Sequence, residues 1–200
     1  FGGFPGSCLA LVSVPSKTEN QSDQVGIDLM VNSVFLDRDG VINRALVRGG
    51  RPFSPASMEE FAWVDGIHEV TGHLKTAGLL LFCVTNQPDV GRGFQDRAVV
   101  ESMHQRIMEE LPLEKIYTCY HDGVEECACR KPRPGMILAA KEGYDLDLGC
   151  SWLVGDRWKD IDAGNAAGCR TVFVDYGYDE ALKSPPDHII TDVNELPSLI

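Results

Sequence analysis

From Met30 onward, short continuous apolar runs alternate with segments whose apolar residues recur at helical spacing. The runs lie at residues 31–36, 79–84, 115–120, 151–154 and 171–174, with a sixth candidate at 188–190. They are unbroken, which predicts strands buried on both faces. Between them, Ile67, Val70, Leu74 and Ala77 fall on one helical stripe that Gly78 stops. Asp96 is placed to cap a helix whose apolar face is Val100, Met103, Ile107 and Leu111. Pro134 suits the first turn of a helix through Ile137, Leu138 and Ala139, and Gly168 ends another over 160–167. Strands that alternate with helices predict a parallel α/β sheet with helices on both faces. With 200 residues and no internal repeat, one domain over 30–200 is the simplest division. Residues 1–29 are dominated by Gly, Pro, Ser, Asn and Gln after a short apolar stretch, and read as an extension or linker without function.

In such a sheet, ligands bind beyond the carboxyl ends of the strands. The polar residues following each run are therefore the candidates: Asp37 and Asp39, Thr85 and Asn86, Cys119 and His121, and Asp156. Asp37 and Asp39 are two apart, so an extended segment can point both the same way. One can attack phosphorus while the other handles protons; the bland alternative is a solvated Asp-Gly turn. Asp156, from a distant strand, can complete an oxygen site for Mg²⁺. Eighteen Lys+Arg against thirty Asp+Glu give a formal charge of −12. Such a surface argues against nucleic acid or anionic membrane as partner. A phosphorylated substrate would need local cations or a metal to reverse the field. Arg44, Arg48 and Arg51 could meet a second phosphate or could decorate a solvated turn. No apolar run approaches the length of a transmembrane helix.

Seven cysteines are an odd number, and three crowd between Cys119 and Cys129. Cys119-Tyr-His121 and Cys127-Ala-Cys129 supply three thiolates and an imidazole, the set that a closed, structural Zn²⁺ site takes. The alternative is free thiols on a loop. The cluster points to metal ligation in a reducing compartment rather than a disulfide scaffold. Cys83, Cys150 and Cys169 read as small buried hydrophobes, and His68, His73 and His104 as surface residues of helices. The segments 43–61 and 86–115 are too short for a separate cap domain.

Four segments in order resemble the four motifs of the haloacid dehalogenase (HAD) superfamily. They are Phe-Leu-Asp37-Arg-Asp39-Gly-Val-Ile-Asn43, Val-Thr85-Asn86-Gln87, Arg130-Lys131-Pro-Arg-Pro-Gly-Met, and Val-Gly-Asp156-Arg157-Trp-Lys-Asp160. Within the superfamily, the chain most resembles the D-glycero-D-manno-heptose 1,7-bisphosphate phosphatases, which share a subfamily with histidinol phosphatases. The resemblance implies a Rossmann-like sheet with no cap domain, a zinc-binding loop, and a cytoplasmic, monomeric enzyme. It implies that Asp37 is the nucleophile and forms an aspartyl-phosphate, while Asp39 protonates the leaving alkoxide and then activates water. Asn43, Thr85, Asn86, Gln87, Arg130, Lys131 and Arg157 would face the substrate. Asp37, Asp156 and the backbone carbonyl of Asp39 would hold Mg²⁺, and Cys119, His121, Cys127 and Cys129 would hold Zn²⁺. The expected reaction is removal of the C7 phosphate from the heptose bisphosphate. The alternatives are a histidinol phosphatase or other small-ester phosphatase and, in another class, a non-catalytic zinc-binding module. Two departures bear on the substrate. Only residues 122–126 separate the two ligand pairs, and Asp89 stands where the family usually has Gly.

Overall fold

The computed structural model of the chain describes residues 31–124 and 126–200. The expectation about residues 1–29 therefore lies outside the described residues. Six strands form one parallel sheet: β1 (Ser33–Leu36), β4 (Leu80–Asn86), β5 (Lys115–Cys119), β6 (Trp152–Gly155), β7 (Arg170–Val174) and β8 (His188–Ile190). Their spatial order is β5-β4-β1-β6-β7-β8, so β1 lies inside the sheet between β4 and β6. The connecting helices include α1 (Ile67–Thr76), α3 (Arg97–Glu110), α4 (Gly135–Tyr144) and α5 (Trp158–Ala167). A short helix, α2 (Pro88–Gly91), follows β4, and another, α6 (Leu196–Leu199), closes the chain.

The unbroken apolar runs divide between two cores because successive strand side chains point to opposite faces. Val34, Leu36, Leu81, Cys83, Trp152 and Val154 pack with the apolar faces of α1 and α3 and with Leu196 of α6. Phe35, Phe82, Val84 and Leu153 pack on the other side, against Met136, Ile137 and Ala140 of α4 and Ala163 of α5. Each large apolar side chain so buried contributes roughly 1.5–3 kcal/mol. Asp96 accepts a hydrogen bond from the Ala98 amide at 2.8 Å and caps α3. Gly168 ends α5 in the left-handed conformation, at φ 80°.

Two features depart from the sequence-based expectation. Residues 44–51 are not a simple loop: β2 (Leu46–Arg48) and β3 (Arg51–Phe53) form an antiparallel hairpin. Its two-residue turn is Gly49-Gly50, with φ of 57° and 74°, and a hairpin turn of this kind requires positive φ at both positions. This hairpin is the one addition between β1 and α1, and no separate cap domain occurs among the described residues. Second, Cys150 is half-buried in a 3₁₀ turn rather than in the core.

Candidate active site and cysteine cluster

The loops after β1, β4, β5 and β6 meet at the carboxyl edge of the sheet. The Asp37 amide donates to the Val154 carbonyl at 2.9 Å, joining the ends of β1 and β6. Gly40 follows at φ 95°, and a Cβ there would stand 1.9 Å from Asp156 Oδ2, so only glycine lets the β1 loop approach that carboxylate. Asp37, Asp156 and Asp160 are all buried, and each offers an oxygen within 4.8 Å of the others'. Lys131 is also buried, with Nζ 2.8 Å from Asp37 Oδ1, 2.6 Å from Asp160 Oδ1 and 2.7 Å from the Val84 carbonyl. All three ammonium donors are thereby used. An exposed surface lysine, the ordinary expectation, is excluded.

One ammonium does not balance three buried carboxylates. Burial, then the charge of Asp160, pushes the Asp37 carboxyl up to about 7. Burial and the charge of Asp37 hold Asp156 well above the usual carboxylate range. The Tyr178 hydroxyl approaches Asp156, yet neither carboxylate oxygen of Asp156 has a partner of ordinary hydrogen-bond geometry. Buried, unpartnered oxygens beside excess negative charge fit a hard divalent cation.

Asp39 points into a different environment. Its Oδ1 accepts from Arg38 Nε (3.1 Å), Arg38 Nη2 (2.9 Å) and Asn43 Nδ2 (2.9 Å). Its Oδ2 accepts from Arg38 Nη2 (3.0 Å), Ser54 Oγ (2.7 Å) and Gln87 Nε2 (2.8 Å). The Arg38 guanidinium and these donors outweigh burial and keep the Asp39 carboxyl below its ordinary range.

At the end of β5, the Cys119 and Cys127 sulfurs lie 3.8 Å apart. His121 Nδ1 is 3.4 Å from Cys119 Sγ and 3.3 Å from Cys129 Sγ. Tetrahedral zinc with bonds of about 2.3 Å to sulfur places its ligand sulfurs about 3.8 Å apart. Burial and the neighbouring thiols push Cys119 up to about 12, a crowding that a bound cation would relieve. The cluster adjoins the carboxylate centre: Arg130 Nη1 donates to the His121 carbonyl at 3.1 Å, and Lys131 comes next in the chain.

A cavity of about 280 Å³ opens over the carboxylates. Six cations line it (Arg51, Arg92, Arg130, Lys131, Arg157 and Lys159) against five carboxylates, so its wall is far richer in positive charge than the acidic whole. Burial, then the charges of Arg157 and Arg130, lowers the pKa of the half-buried Lys159. A larger hollow of about 420 Å³, near Arg44, Val64 and Tyr176, gathers no comparable set of charges.

Comparison with known proteins agrees with this geometry. A family profile described as HAD-hydrolase-like matches residues 128–196. The D-glycero-alpha-D-manno-heptose-1,7-bisphosphate 7-phosphatase of Burkholderia mallei is 41% identical over 154 residues, covering 71% of this chain and 78% of that one. The corresponding D-glycero-beta-D-manno enzyme of Escherichia coli K12 is 33% identical over 185 residues, covering 85% of this chain and 94% of that one. The chain belongs to the heptose 1,7-bisphosphate 7-phosphatase family. Among solved structures, the D,D-heptose 1,7-bisphosphate phosphatase of B. bronchiseptica, complexed with magnesium and phosphate, superposes with a TM-score of 0.71. That match has 27% identity and covers 84% of this chain and 97% of that one.

Within this member of the family, the residues expected at the site are brought together but divide by role. Asp37, Arg130, Lys131, Asp156 and Arg157 line the cavity. Arg157 is also held by Glu180, at 2.7 and 3.0 Å. Asn43 and Gln87, expected to face substrate, are buried and turn their amides to Asp39. Thr85 is buried and accepts from Gln87 at 2.9 Å. Asn86 grips the Lys131 backbone, donating to its carbonyl and accepting from its amide, both at 3.0 Å. The Asp39 carboxylate is not one of the three that converge; Asp160 takes that place. Of the three arginines weighed for a second phosphate, Arg44 pairs with Asp65 and Arg48 with Glu60, while Arg51 reaches the cavity. Asp89 pairs with Arg92 at 3.0 Å, which offsets its charge at the rim.

Sequence reasoning missed Arg38, Ser54, His104 and Glu180. His104 is buried, not a surface residue, because its ring stands 3.2 Å from Arg38 Nη1. The available signal was its place on the apolar stripe of α3, four residues after Val100 and three before Ile107.

Proposed function

We propose that the chain is a Mg²⁺-dependent phosphatase that removes the C7 phosphate of D-glycero-D-manno-heptose 1,7-bisphosphate. The observation that carries this reading is the Asp37–Lys131–Asp156 cluster at the floor of a cation-lined cavity, in a chain related to enzymes named for that substrate. Asp37 and Asp156, with the backbone carbonyl of Asp39, would hold magnesium, while Asp160 braces Lys131 beside them. When bound, the cation supplies charge neutralisation between an anionic nucleophile and an anionic phosphate.

Asp37 attacks phosphorus with a carboxylate oxygen as the bond to the sugar oxygen breaks. Asp39, held as a carboxylate by Arg38 in the unliganded site, would take up a proton as the anionic substrate binds and deliver it to that leaving oxygen. Lys131 and the Thr85 hydroxyl offset charge on the phosphoryl oxygens. Asp39, now a carboxylate, takes a proton from water as the water oxygen attacks the aspartyl-phosphate, releasing inorganic phosphate and restoring Asp37. Arg51, Arg92 and Lys159 line the same cavity and would meet the second phosphate of a bisphosphate. Cys119, His121, Cys127 and Cys129 would hold zinc, which would fix the arm that carries Arg130 and Lys131. The acidic net charge supports a monomer acting on a small phosphorylated sugar.

The test is a panel of phosphate esters with Mg²⁺, scored by initial rates of phosphate release. It includes both heptose anomers, because relatives of either type match. Expected is a kcat/KM for a heptose bisphosphate about ten- to a hundred-fold above that for any monophosphate, the worth of one charged hydrogen bond. Asp37→Asn should abolish turnover. Equal efficiency on histidinol phosphate would defeat the substrate assignment.

A further inference from the structure

We infer that Arg38 and His104 form a buried support that sets the orientation of the Asp39 carboxylate, making both of them positioning residues for the proton-transfer steps. The inference rests on the reading of Asp39 as the acid and base. Arg38 is fully buried, although it lies between two residues of the candidate site. It makes three hydrogen bonds to Asp39, of 2.9–3.1 Å, in a fork that engages both carboxylate oxygens. A two-pronged contact of this kind fixes the carboxylate plane, which a single donor does not. The remaining Nη1 faces His104 Nε2 at 3.2 Å. Arginine carries only donors, so Nε2 accepts and the ring proton sits on Nδ1, the nitrogen 3.7 Å from Glu101 Oε2.

His104 therefore holds the guanidinium from behind, from a helix that never reaches the cavity. Asn43, Ser54 and Gln87 complete the carboxylate's shell from the front and sides. No other acceptor faces Arg38 Nη1 among the contacts of the described residues. Removing the imidazole leaves a buried donor unmet and frees the fork to tilt. A carboxyl group displaced by an ångström loses much of its proton-transfer rate.

The experiment compares His104→Leu, which removes the acceptor, with His104→Gln, which restores one through its amide oxygen. Asp39→Asn serves as the reference. Each variant is assayed on a heptose bisphosphate, whose alkoxide must be protonated to leave, and on p-nitrophenyl phosphate, whose nitrophenolate leaves unaided. Phosphoenzyme formation is followed by rapid quench, and folding by near-ultraviolet circular dichroism. Expected for His104→Leu is a fall of about ten- to a hundred-fold in the sugar-phosphate kcat with KM within about twofold. Phosphoenzyme formation from the nitrophenyl ester should stay within a few-fold of wild type, and His104→Gln should recover most of the lost rate.

Equal losses on both substrates in folded His104→Leu, matched by His104→Gln, would mean a purely structural histidine and overturn the inference. If Asp39→Asn discriminates between leaving groups and His104→Leu does not, only the inference falls. If Asp39→Asn does not discriminate, the assignment of Asp39 falls and the inference with it. Should His104→Leu fail to fold, Arg38→Lys keeps the charge but loses the fork. It must then show the same leaving-group dependence, and its absence would overturn the inference.

Discussion

A neutral imidazole against a guanidinium makes His104 a liability in acid. Burial, then the charge of Arg38, lowers its pKa to about 4, while the Glu101 and Asp39 carboxylates pull the other way. In the unfolded chain the same ring titrates near 6.5. Between those values the unfolded state takes up a proton that the folded state refuses, so stability is lost as pH falls through that window. At pH 4 the loss amounts to about 3 kcal/mol, and above about pH 7 it vanishes. Urea unfolding at pH 7 and pH 4.5 should therefore cost the wild type about 2 kcal/mol more than His104→Gln, since the other groups are common to both. Equal acid losses would contradict a buried neutral histidine. Neither Arg38 nor His104 announced itself in the sequence as more than a flanking charge and a helix residue. Their roles depend on a contact across 66 positions of chain.

At the scale of elements, three loops converge on the site. The β2–β3 hairpin meets the loop after β7 where the Asp179 amide donates to the Gly50 carbonyl at 2.8 Å. The Arg157–Glu180 ion pair anchors the same loop to the start of α5. The arm that carries the cysteine cluster is braced on α3, where Tyr120 donates to Glu101 at 2.6 Å, and on α4, where the Gly135 amide donates to the Ala128 carbonyl at 3.1 Å. Cys127→Ser should drop zinc from about one atom per chain toward none, by elemental analysis. A loss of about 2 kcal/mol would lower the melting temperature by roughly 4–8 °C. Turnover should fall with it, because the loosened arm carries Lys131. Metal-free protein with native melting and native activity would refute the coupling. The Gly49-Gly50 pair was a readable hairpin signal, but the flanking strands are three residues each and one holds Pro52, so no alternating run marked them.

Across the whole molecule, the sheet concentrates carboxylates at one edge, and the folded state has a stake in how they are neutralised. Asp37 is raised from 3.8 to about 7, and Asp156 is raised as well. Without metal, the folded protein retains a proton on Asp37 that the unfolded chain releases between those values, so this site weakens the fold as pH rises through them. Magnesium held by Asp37 and Asp156 would displace that proton. Its stabilising effect should therefore grow from pH 5 to pH 8, read as the melting shift at saturating Mg²⁺. A shift independent of pH would sink the reading of these carboxylates as the cation site.

The amino-acid sequence by itself determined the alternation of buried strands and helices, because hydrophobic period and capping act over a few neighbouring residues. It also marked which strand ends carry chemistry and which thiols cluster, because those residues stand close together along the chain. Only the tertiary structure decided which of Arg44, Arg48 and Arg51 reaches the cavity. It alone turned Asn43 and Gln87 toward Asp39, and made Asp160 rather than the Asp39 carboxylate the third acid beside Lys131. Those outcomes depend on the direction of side chains from strands and loops far apart in sequence. Hydrogen-bond geometry, unlike burial, has no periodic trace in a chain.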